Sequence, residues 1–143
     1  MKKKKDSDFY CIVGCGTLGA HLAKTLTEKG AEVMIIDRNQ KAFAKLGQNF
    51  VGLAIEGDAT DLQFLAELDI KKAKLLIAVT REDNINLMVC QIAKELYGLK
   101  SVARLYNIEK KSVYKEFDID VICPDELTAA EIHKRISEAI NEN

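Results

Sequence analysis

No apolar run in the 143 residues approaches the roughly 18 that a membrane-spanning helix needs, and no signal peptide is visible, so a cytoplasmic protein is expected. Neither sign of charge dominates. The 21 Lys and Arg against 22 Asp and Glu leave a formal charge of −1, which gives no global pull toward nucleic acid or anionic lipid. The four cysteines, Cys11, Cys15, Cys90 and Cys123, form no CxxC pair, which fits reduced, mostly buried thiols. Only His21 and His133 are available as neutral-pH acid–base groups, and both fall within expected helices. Proline occurs once, at Pro124, and neither an internal repeat nor a low-complexity linker divides the chain.

What is present is ordinary for one globular domain, with 48% apolar and 30% charged residues. The chain is organised around Phe9 to Asp37. Phe9-Tyr10-Cys11-Ile12-Val13 reads as a buried strand, and Gly14-Cys15-Gly16-Thr17-Leu18-Gly19 follows at once. Leu18, Leu22 and Leu26 then recur at helical spacing, and a second apolar run, Val33 to Ile36, ends on Asp37. Strand, glycine turn, helix, strand and acid in this order form the dinucleotide-binding fingerprint in its full context. Gly14 allows the tight turn, Gly16 lets a pyrophosphate approach the backbone, and Gly19 lets the helix pack close to the sheet. The N–H groups at the helix start and the positive end of its dipole suit phosphates. Asp37 can accept from both ribose hydroxyls and would repel a 2′-phosphate, which favours NAD or an adenine nucleotide; Arg38 beside it keeps NADP open. Cys15, in the phosphate turn, is the one cysteine placed to be reactive, because a helix N-terminus lowers a thiol pKa.

The remaining segments alternate. Residues 1–8 form a basic, polar leader, read as a flexible tail. Asn39 caps a short helix over Gln40 to Leu46, and a third strand is expected over Phe50 to Ile55, leading into Gly57-Asp58-Ala59-Thr60. That turn stands at the carboxyl end of a strand, where Asp58 or Thr60 can meet adenine or its ribose while Thr60 or Asp61 caps the helix Leu62 to Leu68. A fourth strand, Lys74 to Val79, precedes Thr80 and a regular helix with Asp83 as its N-cap. A fifth, Ser101 to Leu105, carries Arg104, which either pairs with a local carboxylate or faces a phosphate. A short polar helix covers Glu109 to Phe117, and a sixth strand Ile119 to Cys123. Pro124 breaks the chain before a last helix, Glu126 to about Ile140, with a narrow stripe of Ala129, Ile132, Ile136 and Ala139/Ile140 that either folds back or packs on another subunit. Six strands alternating with helices predict an α/β, Rossmann-like, doubly wound parallel sheet in the order 3-2-1-4-5-6, with the domain over 9–123 and the interface helix over 124–143.

The segments GCGTLG, VMIID, GDAT, LIAVTREDNINLMVCQIAK, SVARLYN and VICPDE together resemble the RCK N-terminal domain, also called TrkA-N or KTN, across Asp8 to Ile140. The resemblance implies a cytosolic nucleotide-binding gating subunit of a bacterial potassium uptake system or potassium channel, held at the inner face of the membrane through an integral membrane partner. It implies that Gly14 to Leu18 cradle phosphates, Asp37 holds the ribose, Asp58 and Ala59 border adenine, Val79 and Thr80 line the opposite wall, and Arg104 sits near phosphate. It also implies a homodimer or larger homo-oligomer in which Ala129 to Ile140 cross to the partner, and Asp125 at a divalent-cation position between subunits where glutamate is usual. Thr17 departs from the arginine of many relatives, which weakens an ATP preference and leaves NAD(H), ADP and AMP in play. The chain ends at Asn143, so the family's C-terminal ligand-binding domain is expected to be absent, whether in a short form or by truncation.

The function expected is thus a nucleotide-sensing regulatory subunit, not an enzyme and not a nucleic-acid binder. The rivals are an NAD-dependent oxidoreductase and a nucleotide module of another transporter. The oxidoreductase lacks a suitable Tyr-x-x-x-Lys pair and a second domain to carry substrate. Fold analogy alone does not remove the second rival.

Overall fold

The computed structural model describes residues 8–141. Of the leader expected over 1–8, all but Asp8 lies outside the described residues; Asp8 pairs with Lys74, and its carbonyl accepts from the Glu32 N–H. Six strands, β1 (Phe9–Val13), β2 (Glu32–Asp37), β3 (Leu53–Glu56), β4 (Leu75–Ala78), β5 (Ser101–Arg104) and β6 (Asp120–Ile122), form one sheet. Its order is β3-β2-β1-β4-β5-β6 and every pair is parallel, as the alternation of segments predicts. The connections are α1 (Thr17–Glu28), a 3₁₀ turn over Gln40–Leu46, α2 (Leu62–Ala66), α3 (Asp83–Tyr97) and α4 (Lys111–Glu116), with α5 (Pro124–Asn141) after the last strand.

Side chains alternate across each strand, so the apolar runs serve two cores. Ile12, Ile35 and Ile77 face Ala20 and Ala23 of α1 and Leu46 of the 3₁₀ turn. Cys11, Val13, Ile36 and Leu76 face Leu65 of α2, Val89 and Cys90 of α3 and Tyr114 of α4. Helices therefore cover both faces. β1 and β4 are neighbours whose following helices leave to opposite faces, and the crevice at their carboxyl ends is where an open sheet of this kind receives a ligand.

Several expected boundaries move, three of them for reasons that the contacts show. β3 begins at Leu53, because Phe50 packs on the α1 side of the sheet and its ring lies 2.4 Å from where a Cβ on Gly52 would stand. Asp83 is not the cap of α3: Glu82 holds that position, and the Asp83 carboxylate instead accepts the N–H groups of Tyr106 (2.8 Å) and Asn107 (3.0 Å) beyond β5. Pro124 does not break the chain ahead of α5 but starts it, since the first helical position needs no N–H donor. α5 buries none of its residues.

Candidate functional site

The first strand hands over to α1 through Gly14, whose φ of +107° is a backbone conformation that favours glycine. A Cβ there would also stand 2.9 Å from the Thr80 nitrogen, so turn and β4 end are in close contact. Gly19 has the tighter constraint, with its missing Cβ only 1.8 Å from the Gly14 carbonyl oxygen. Gly16 is the opposite case: nothing lies within 4 Å of its Cβ direction. It is also the N-cap of α1, with no side-chain cap and no acid in the first turn. The N–H groups that a helix start leaves over are thus free of protein side chains where the backbone is most open.

Asp37, at the end of β2, locks this turn. Its Oδ2 accepts the Cys15 N–H at 2.7 Å and its Oδ1 the Asn39 N–H at 2.8 Å. Each oxygen keeps a further lone pair for a hydroxyl. Beside it opens a cavity of about 130 Å³, lined by Val13, Gly14, Ile36, Asp37, Arg38, Gly57, Asp58, Ala59, Thr80, Glu82 and Ile85. Its lining is mainly apolar, and its size suits one flat base and not a whole dinucleotide. Asp58 is held in place by Thr60, whose N–H (2.9 Å) and hydroxyl (2.6 Å) both donate to Oδ1. Those bonds, with smaller help from Arg38, hold the Asp58 carboxyl below the usual carboxylate range.

Cys15, Gly16, Thr17, Leu18, Gly19, Thr60, Val79 and Arg104 are off the walls of this cavity. The first five make the open turn beside it, and Thr60 serves Asp58. Val79 is buried behind Gly19, toward the α1 face. Arg104 donates from Nη2 to the carbonyls of Val79 (2.7 Å) and Thr80 (3.3 Å) and stacks over the Tyr106 ring at 4.7 Å. No carboxylate pairs with its guanidinium among the described residues, so its charge is uncompensated. Ile85 and Glu82 are cavity residues that motif reasoning passed over; their position just after a ligand-edge strand was the available signal.

The Cys15 thiol runs against the expectation of a lowered pKa. Burial, and then the Asp37 charge, push it up, which disfavours the thiolate. Cys11 is pushed up to about 12 and Cys90 to about 11 by burial, and all four cysteines are free and buried. His21 and His133 are exposed on α1 and α5, away from the cavity. Asp125 is exposed in the first turn of α5, and among the described residues no three or more His, Cys, Asp or Glu gather as a metal site.

A family model, the TrkA-N domain, matches residues 10–124. The chain belongs to the TrkA-N domain family. Among its relatives is the Trk system potassium uptake protein TrkA of Streptomyces coelicolor, 33% identical over 126 residues, which cover 87% of this chain and 56% of that protein. The TrkA homologue of Pyrococcus horikoshii is 31% identical over 136 residues, 90% of this chain and 59% of its own length. The chain thus spans little more than half the length of these relatives. In fold, this TrkA-N domain is similar to that of the Escherichia coli inner membrane protein ybaL, with a TM-score of 0.79, 16% identity and coverage of 92% and 98% of the two chains. It is also similar to the GsuK channel bound to NAD, with a TM-score of 0.71, 18% identity and coverage of 86% of this chain and 22% of that one. GsuK bound to ADP gives a TM-score of 0.70 at 18% identity, covering 82% and 31%. No helix among the described residues of this TrkA-N domain is long and apolar enough to cross a membrane.

Proposed function

We propose that this TrkA-N domain is a nucleotide-binding regulatory module that takes NAD(H) or an adenine nucleotide (AMP, ADP or ATP) and controls potassium transport through a membrane partner. The observation that carries the nucleotide half is the start of α1: an uncapped helix N-terminus under an open Gly16, with the Asp37 carboxylate bonded to the same turn. The residues present fit the ligand. The cavity between Arg38, Asp58, Ala59 and Ile85 would take the base, Asp37 the ribose hydroxyls, and Gly14 to Leu18 the phosphates. The uncompensated Arg104 guanidinium, behind the Val79–Thr80 wall, favours an anion there. Asp37 stands against a 2′-phosphate, so NADP is disfavoured.

The potassium half is supported by the relatives, which are named for Trk potassium uptake. Its place would be the cytoplasmic face of the membrane, through its partner. The reading is of a binder and not a catalyst, because neither histidine is near the cavity. Two copies would meet through α5, whose Leu127, Ile132, Ile136 and Ile140 are exposed within one chain. A divalent cation at Asp125 would need ligands from the second copy.

The test is a thermal-shift titration against NAD, NADH, ATP, ADP and AMP. A ligand at a hundred times its Kd adds about 2.7 kcal/mol, a shift of several degrees for a domain of this size. A stabilising nucleotide that loses its effect in Asp37→Ala supports the site. If none of the five moves the melting temperature, the glycine turn is architecture alone and the sensing role fails with it.

A further inference from the structure

Among the described residues Asn86 is the buried polar one, with none of its surface exposed, and it is the fourth residue of α3, off the cavity wall. An amide so placed is tolerated only when its hydrogen bonds are made. All four are. Its Oδ1 accepts the Thr80 N–H (3.0 Å) and the Thr80 hydroxyl (2.6 Å); its Nδ2 donates to the carbonyls of Thr80 (3.1 Å) and Arg104 (2.9 Å). Two donors and two acceptors are the whole capacity of the group.

The choice of partners is what points to function. An asparagine that served only its helix would bond to its own turn. This one spends three bonds on a single residue, Thr80, which lines the cavity, and the fourth on Arg104. The bonds also lie where the sheet stops supplying them. The last β4–β5 register pair is Ala78 with Ala103, so that ladder no longer fixes the spacing of Thr80 and Arg104, although Arg104 is still paired with Ile122 of β6 on its other side. Asn86 spans that gap and ties the two strand ends. Arg104 then adds its own Nη2 bonds back to the Val79 and Thr80 carbonyls, although its Nε is buried without a partner. On the far side, the Thr80 nitrogen is packed against Gly14 of the phosphate turn.

We propose that Asn86 is a positioning residue for nucleotide binding: it sets the Thr80 wall of the cavity against the glycine turn and holds Arg104 behind it. The inference rests on the nucleotide-binding reading above. It also assigns the Thr80 polarity. The Thr80 N–H donates to Asn86. Its hydroxyl hydrogen faces Asn86 Oδ1 (2.6 Å) and the Glu82 carbonyl (3.2 Å), and its hydroxyl oxygen accepts the Glu82 N–H (3.2 Å). Thr80 thus offers a ligand a methyl group and one remaining lone pair, and phosphate donors must come from the turn.

The test compares the Kd of ADP and of NAD, each by calorimetry, for the wild type, Asn86→Ala and Val89→Ala. Val89 is equally buried on the same helix, but its side chain is in the core and off the cavity, so its truncation measures what loss of stability alone does. Asn86→Ala is expected to weaken binding tenfold or more, and Val89→Ala less than threefold, at temperatures where both are folded. Equal affinities for Asn86→Ala and wild type, or equal losses in the two variants, would overturn the positioning role. A wild type that binds none of ADP, NAD, NADH, ATP and AMP fails the nucleotide reading instead. Should Asn86→Ala not fold, the side-chain amide of Asn86 in the wild type carries the test by NMR. Its resonances should move on saturation with a ligand that binds, and unmoved resonances would count as overturning.

Discussion

Gly16 and Gly19 are three residues apart in the same turn and separate two kinds of constraint. A methyl group at Gly19 would overlap the Gly14 carbonyl, whereas one at Gly16 meets nothing within 4 Å. Gly19→Ala is therefore expected to force α1 off the sheet and destabilise the fold by about 3 kcal/mol or more, as overpacking against backbone does. Gly16→Ala should change stability by less than about 0.5 kcal/mol, yet abolish nucleotide-dependent stabilisation, since its methyl group would fill the space open to phosphate. Denaturant melts with and without ADP check both. Asp58 gives a pH signature. Its folded-state carboxyl titrates below 3.8 through its bonds from Thr60, so its contribution is complete above that value and is lost as pH falls through the folded pKa. Thr60→Val should cost about 0.5–1 kcal/mol at pH 7, and the difference from wild type should disappear in acid, below the titration of the bonded carboxyl. A penalty that persists unchanged at low pH would show that Thr60 acts by packing instead. At this scale the glycines and Asp37 were legible because their chemistry is local to one turn. Asn86 was not, because its meaning lies in partners 6 and 18 residues away, and a polar residue on a helix ordinarily reads as solvated.

Strand and helix types followed from period and turn chemistry, and the boundaries failed where a tertiary contact replaced a local one. Asp83 shows this. An acid before an apolar helical stripe reads as a cap, but a carboxylate that can reach two N–H groups on another segment does more there. It joins the start of α3 to the link beyond β5, and the Tyr114 hydroxyl of α4 donates to the Asp83 carbonyl, so three elements meet at one residue. Burial, with the Asp83 charge, pushes the Tyr114 hydroxyl up to about 12, which keeps it a donor at any ordinary pH. Asp83→Ala removes both N–H acceptors at once, and a loss of about 1–3 kcal/mol is expected from the two. The local sign is more telling than the total. Amide exchange at Tyr106 and Asn107 should rise well before that of the β1 core amides. Uniform acceleration across the sheet would mean that Asp83 supports the whole domain and not this junction.

For the whole molecule the open question is what α5 packs on. Its 18 residues include none that is buried, and Leu127, Ile132, Ile136 and Ile140 are 61%, 53%, 49% and 67% exposed. One ion pair, from Lys111 to Glu126, ties its first turns to α4. Most helical stability in proteins comes from packing of an amphipathic face, and none of this stripe is buried among the described residues, so we expect a contact beyond them to cover it. A second copy supplies it most simply, through a two-fold contact that places the same stripe on both sides. Burying a side chain of this size contributes about 1.5–3 kcal/mol. Replacing Ile132 and Ile136 by Glu alters four such side chains in a dimer and adds like charges, so the dimer Kd should rise at least a hundredfold. Sedimentation equilibrium should then give a dimer for the wild type and a monomer of 16.0 kDa for the double variant. The sheet should survive, because neither residue contributes to either core, while helical circular dichroism should fall as α5 frays. If the double variant sediments like the wild type, α5 is not the contact. The pairing proposed for this TrkA-N domain would then fail, and the exposed stripe of α5 would need another explanation.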